Sequence, residues 1–241
     1  MKNEKNINNR SFLLLILFLF TTTSVSLKAL KNVYVKDITV SGSKLFSQND
    51  LVNNSSLKIP KRLIFIKTKL LEQELKQNLS LKNVSVSRQI LPFGLKIQVN
   101  TRTPIAYGER ILNNEKISGY IDADGVFINK QNVDEKNLNK LTIEVFGWEE
   151  KFKKILSEIL IAEVSNEFEL LKIIFSPNGF ITLEEKDLKT ILLGFNTNLI
   201  NYQLQIIKQL KNEFMKNNFS EKIDNIDLTD PYKPKIKVFK P

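Results

Sequence analysis

The residue types in this chain restrict its chemistry before any fold is considered. There is no His and no Cys among the 241 residues. That excludes a His general base, a Ser-His-Asp triad, a Cys nucleophile and a Cys/His zinc site. It also means that cysteine usage says nothing about the redox compartment. Carboxylate, Lys or Tyr chemistry stays open. The adjacent pairs Glu149-Glu150 and Glu184-Glu185 are its most visible candidates, but sequence neighbours on a strand or helix point apart, so both pairs read as solvated surface. Asp122-Ala123-Asp124-Gly125 opens like a calcium loop. Such a loop needs Gly at its sixth position and Glu at its twelfth, where Phe127 and Val133 stand. Asp-Gly is a strong hairpin signal, so a turn is expected instead. Gly125 and Gly194 belong to no phosphate cradle, and no P-loop, dinucleotide fingerprint or GxSxG is present. Trp148 stands alone at a helix start and is expected to pack. Neither a catalytic residue, nor a metal ligand, nor a cofactor site is read from this pattern.

Composition bounds the rest. A chain of this length with 42% hydrophobic residues can bury one or two ordinary cores. The net charge of +10 suits anionic partners in principle. The Lys residues are interleaved with Glu and Asn, however, and offer neither a basic cluster nor a stacking platform, so no nucleic acid partner is expected. Lys2, Lys5 and Arg10 form a basic tail over residues 1–10, followed by a wholly apolar run from Phe12 to Phe20. A helix over 11–30 is a transmembrane anchor or a signal-like segment. Thr21 to Thr23 can satisfy their hydroxyls on the helix itself, and Ser24-Val25-Ser26 has the small-x-small form of a cleavage site. Either way the remainder is exported, with the basic tail on the cytoplasmic side.

The elements that could position a site follow from hydrophobic period. Tyr34 to Val40 reads as a strand with Ile38 and Val40 on one face, ending at the Ser41-Gly42-Ser43 turn, and Ser47 caps a short helix through Leu51 and Val52. Leu71, Leu75 and Leu79 give a helix over Lys67 to Leu79. Val84 and Val86, then Leu95, Ile97 and Val99, alternate with polar residues on two strands around Pro92-Phe93-Gly94. Pro104, which cannot donate to a ladder, reads as an edge or boundary. Beyond it, Ile117 to Ile128 reads as a second hairpin and Thr142 to Phe146 as a strand. A helix follows from Trp148 to Val164, with strands at Leu170 to Phe175, Gly179 to Glu184 and Lys189 to Leu193. The last elements are a helix over Asn198 to Asn217 burying Ile200, Leu204, Ile207, Leu210 and Phe214, and strands at Ile223 to Leu228 and Lys235 to Phe239.

The order strand, helix, helix, strand, strand is that of a POTRA domain. The residues Ile38-x-Val40-x-Gly42, Val86-x-Arg88, Pro92-x-x-Leu95-x-Ile97-x-Val99 and Thr103-Pro104-Ile105-Ala106 resemble the bacterial cell-division family FtsQ/DivIB. Further along, Ile121, Asp122, Gly125, Val126 and Phe127, then Leu193-Gly194 and Asp227-Leu228, resemble that family's second domain. Where the family often has Glu-Arg, this chain has Thr101-Arg102. The resemblance implies an α+β protein with an N-terminal transmembrane helix, a POTRA domain (β-α-α-β-β) over 33–103, and a mixed β-sheet domain with two amphipathic helices over 104–241. It implies a bitopic, non-enzymatic scaffold of the inner membrane at the division septum, linking early and late divisome proteins. Its partners would be membrane proteins of the FtsB and FtsL type and the septal peptidoglycan synthesis machinery. By the same implication, Lys235, Ile236, Lys237, Val238 and Phe239 form an edge strand that accepts a partner strand. Gly42, Arg88, Pro92, Pro104, Asp122, Gly125 and Gly194 would be structural motif positions. The alternative is an exported POTRA protein assisting outer-membrane assembly or secretion. The helices between the later strands weigh against a barrel of short strands.

Overall fold

The apolar run Phe12–Phe20 lies inside a single helix, α1 (Glu4–Ala29), at the N-terminal end of the computed structural model. The structure describes residues 4–134, 138, 141–165, 168–216 and 223–239; Lys2 and the expected helix end at Asn217 lie outside them. Within α1, Ser11–Ala29 is long and apolar enough to cross a membrane. Thr21, Thr22, Thr23 and Ser26 donate their hydroxyls to carbonyls three or four residues back, so these polar groups need no water.

The chain then folds as two compact units, residues 1–101 and 102–241. In the first, β1 (Asn32–Val33) pairs antiparallel with β3 (Lys61–Arg62). A three-stranded sheet has the order β2 (Ile38–Ser41), β5 (Gly94–Asn100), β4 (Asn83–Gln89). The expected unit is present as β2, α2 (Gln48–Asn53), α3 (Thr68–Asn78), β4 and β5. Ser47 caps α2 through its hydroxyl, which accepts from the Asp50 N–H. Leu71, Leu75 and Leu79 bury against Val86, Leu95, Ile97 and Val99, as their periods require. The stretch before Ile38, expected as strand, is instead a 3-10 turn at Val35–Asp37. Its cause is local: the Asp37 carboxylate accepts from the Tyr34 N–H.

The second unit is one nine-stranded sheet in the order β14 (Lys235–Val238), β13 (Ile223–Asp227), β12 (Lys189–Gly194), β11 (Ile181–Glu185), β10 (Leu170–Phe175), β9 (Ile143–Phe146), β6 (Pro104–Leu112), β7 (Glu115–Asp122), β8 (Phe127–Asn129). Three of its pairings, β9–β10, β6–β9 and β12–β13, are parallel. Helices α4 (Lys153–Val164) and α5 (Ile200–Lys216) bury Leu156, Ile159, Leu160, Ile200, Leu204 and Ile207 in one core with Ile143, Val145, Ile173, Leu183, Ile191 and Ile226. Those strand residues alternate with solvent-facing ones, so both helices cover the same face.

Two expectations are corrected here, and one hairpin is added. Pro104 stands two residues after the division between the units, as a boundary would, but not on an edge: it begins β6, an interior strand between β7 and β9, because a strand's first residue tolerates the missing donor. The expected hairpin at Ile117 to Ile128 is present as β7–β8, turning at Asp122–Gly125. A further hairpin, β6–β7, precedes it and turns at Asn113-Asn114 with φ of 52° and 65°, a left-handed pair that Asn tolerates. Glu185, expected in water beside Glu184, is 1% exposed. Its carboxylate accepts from the N–H groups of Glu169, Asp187 and Leu188 and from Lys211 Nζ at 2.6 Å, while Glu184 pairs with Lys172 at 3.0 Å.

Candidate functional site

The end of the large sheet is built from the inside outward. Ile223 and Ile226 of β13 are fully buried. Gln203 on α5, also buried, donates to the carbonyls of Leu193 (2.8 Å) and Leu228 (2.7 Å), fastening the helix to the ends of β12 and β13. The Leu228 N–H reaches the Leu192 carbonyl at 2.8 Å. Beyond this support lies β14, in the register Lys235↔Asp227, Ile236↔Ile226, Lys237↔Asn225 and Val238↔Ile223. Opposite residues share a face, so Ile236 and Val238 point to the helix-covered side. They remain 41% and 45% exposed because no further row lies beyond them. Among the described residues β14 has one pairing partner, β13, so its outer backbone groups face outward.

Charge and aromatic surface surround this edge. Lys237 pairs with Asp224 at 3.2 Å, and Lys235 lies beside Asp227. The hydroxyl and N–H of Thr229 hold the Asp227 carboxyl below its usual range, with a smaller contribution from Lys235. Phe239 is exposed, and Tyr202 and Tyr232, both exposed, pair at 5.2 Å between ring centroids. The arrangement can offer main-chain hydrogen bonds, two half-covered aliphatic side chains and a small aromatic ledge.

The motif positions do not gather at this edge. In the first unit, Gly42 has φ of +93°, and a Cβ there would lie 2.1 Å from the Val99 carbonyl oxygen. Arg88 Nη2 donates to the Ile66 carbonyl at 2.6 Å, and Pro92 lies in the β4–β5 turn. In the second unit, Asp122 accepts from the N–H groups of Asp124 and Val126. Arg102 binds the Asp122 carboxylate and reaches Asp124 at 2.9 Å. Gly125 accepts Trp148 Nε1–H at 2.9 Å through its carbonyl. Gly194 closes β12 beside Thr229 with φ of +83°. Trp148 is packed, as expected. Sequence reading missed Arg102 and Gln203 as organising residues. Arg102 carried a signal as the retained half of the Thr101-Arg102 pair; Gln203 carried none, since its partners are ten and twenty-five residues away.

A cleft of about 260 Å³ on the face of the sheet away from α4 and α5 is lined by Tyr107, Glu109, Ser118, Tyr120, Lys130 and Glu144, among others. Glu109 and Glu144 project from neighbouring strands of one face rather than from opposing walls, and Glu109 is paired with Lys116 at 3.0 Å. Among the described residues, no group of three or more Asp or Glu could hold a metal ion.

Fold and edge together define a class: a chain with an apolar N-terminal helix, a small βααββ unit and an open mixed sheet that ends in β14. Two comparisons relate the chain to known proteins. Residues 33–102 match the family model for the FtsQ-type POTRA domain. The cell division protein DivIB of Clostridium acetobutylicum is 30% identical over 108 residues, 44% of this chain and 41% of that protein. The chain therefore carries an FtsQ-type POTRA domain, and the two findings support the FtsQ/DivIB family. The alignment spans about two-fifths of the length of the curated relative.

Proposed function

We propose that this chain is a non-enzymatic, single-span division protein whose two units lie outside the cytoplasm and whose second sheet captures partner strands along β14. The observation that carries the reading is the open edge of β14, on a chain whose first unit is an FtsQ-type POTRA domain. The relative's name supplies the process, cell division. The partners are bitopic proteins of the FtsB and FtsL type, together with septal peptidoglycan synthesis machinery at the septum.

In this mode main-chain hydrogen bonds supply affinity and alternate side chains supply specificity. An incoming strand would extend the sheet and cover Ile236 and Val238. Lys235 and Lys237 discourage unspecific strand pairing and favour an acidic partner segment. Among the described residues β14 and β8 do not pair, so the sheet does not close into a barrel.

The test is partner capture. Ile236→Pro or Val238→Pro removes a backbone donor and distorts the edge. Either variant is expected to lose capture of the FtsB- or FtsL-type partner from membranes, while Trp148 fluorescence still reports a cooperatively folded second unit. Capture at the wild-type level would remove β14 as the docking site.

A further inference from the structure

The first unit concentrates its exposed apolar residues at one end. Outside α1, its large exposed hydrophobic side chains are Leu30, Tyr34, Ile64, Phe65, Leu70 and Leu91. Leu30, Tyr34, Ile64, Phe65 and Leu91 belong to segments tied to the exit of α1, and Leu70 lies in the first turn of α3, four residues after Ile66. β1 begins three residues after Ala29, and Asn32 pairs with Arg62 of β3. The Leu63 N–H donates to the Lys31 carbonyl at 3.1 Å, which fixes the Ile64-Phe65 turn beside the helix exit. Arg88, near the end of β4, holds the Ile66 carbonyl, and Lys31 lies 5.2 Å over the Phe93 ring. The β4–β5 turn bearing Leu91 is therefore at the same end.

Leu63 and Ile66 of that turn are buried, whereas Ile64 and Phe65 between them are 48% and 59% exposed. Residues 58–71 contain Lys58, Lys61, Arg62, Lys67 and Lys69 and no Asp or Glu. Among the described residues, none of these five cations has an ion-pair partner. Two apolar side chains inside an unneutralised basic segment match an interfacial contact with anionic lipid. The distance also fits. Asn32 lies at most about 11 Å along the chain from Ala29, comparable with the headgroup layer of one leaflet.

We infer that this end of the first unit sits on the bilayer, with Ile64 and Phe65 in the interfacial layer and the Lys58–Lys69 cations against anionic headgroups. The inference rests on the reading of α1 as a membrane span. It gives the POTRA unit a second attachment besides its covalent tether, and so a restricted orientation relative to the membrane.

Because the chain has no Cys, single labelling sites can be introduced without background. The full chain carrying Phe65→Cys, Asn83→Cys or Leu17→Cys, each with an environment-sensitive fluorophore, is reconstituted in vesicles. One set contains phosphatidylcholine with phosphatidylglycerol, the other phosphatidylcholine alone. Asn83 lies at the opposite end of β4, about 20 Å from the turn, and serves as the aqueous reference. With phosphatidylglycerol, the Phe65 probe is expected to shift to the blue and lose quenching by aqueous acrylamide, while the Asn83 probe stays quenched. The Phe65 shift should shrink in phosphatidylcholine alone. A shielded Leu17 probe with a Phe65 probe as quenched as Asn83 would overturn this inference, keep the span, and leave the surface to a protein partner. A Leu17 probe open to acrylamide would end the span reading and this one with it. Equal shielding of Phe65 in both lipids would overturn the anionic-lipid contact.

Discussion

Replacing Lys211 with Met is expected to cost the second unit about 3 kcal/mol of stability, at the low end of the penalty for breaking a buried ion pair. Lys211 is 13% exposed and meets Glu185 at 2.6 Å and Asp187 at 3.1 Å. The Glu185 side chain is 0% exposed, so removing the ammonium leaves a carboxylate that water cannot reach. Three backbone N–H groups still contact it, which keeps the cost from being larger. The double variant Lys211→Met, Glu185→Gln should recover part of the loss, because the buried charge disappears with its partner. Asp187→Asn should cost under about 1 kcal/mol, since that carboxylate is 31% exposed. Denaturant unfolding followed by Trp148, the single Trp, reports the second unit alone. A Lys211→Met variant as stable as wild type would show that the pair contributes nothing.

The same pair predicts a pH dependence. Burial pushes the Lys211 ammonium toward lower pKa, but hydrogen bonds to Glu185 and Asp187, with their charges, outweigh it and leave the group above its usual range. A folded-state value above the unfolded one stabilises fully below the unfolded value of about 10.4 and is lost as pH rises through the folded value. Wild type should therefore lose stability above about pH 10 in a way that Lys211→Met does not.

This pair also shows where sequence reading stops. The elements of the first unit were legible because each carries its own period: Leu95, Ile97 and Val99 at two, Leu71, Leu75 and Leu79 at four. The burial of Glu185 was not, since its neutralising partner stands 26 residues downstream and only the fold of α5 onto β11 brings them together. The β1–β3 pair is two residues long on each side, too short for any period to show. At β6, Pro104 signalled the boundary between the units but not that the strand it begins lies inside the sheet, which depends on β7 and β9 pairing on either side. The docking edge divides similarly. Alternation in Lys235 to Val238 was readable, but its position at the rim depends on α5 crossing over to set β13 parallel to β12, a non-local event.

Gly125→Ala is expected to destabilise the second unit by about 3 kcal/mol, several times the effect of the same change at Gly179. Both glycines have positive φ, +72° and +89°, so an added methyl meets a backbone penalty of about 1–2 kcal/mol at each. The reduced freedom of the unfolded chain offsets roughly 0.4–1 kcal/mol of that in both cases. Their surroundings differ. At Gly179 nothing lies within 4 Å of the new Cβ, whereas at Gly125 it would fall 2.3 Å from the Lys153 carbonyl oxygen. That oxygen belongs to the first turn of α4 and cannot swing aside as a side chain would. Relief must come from moving the Asp122–Gly125 turn away from the helix. Doing so pulls the Gly125 carbonyl from Trp148 Nε1, the Ala123 carbonyl from the Ser157 hydroxyl, and the two carboxylates from Arg102. The difference between the two alanine variants therefore isolates the close approach from the shared backbone term. It should be accompanied by a red shift of Trp148 emission in Gly125→Ala only. Equal losses at the two sites, with Trp148 unchanged, would mean that α4 yields to the methyl and that the turn does not depend on this contact.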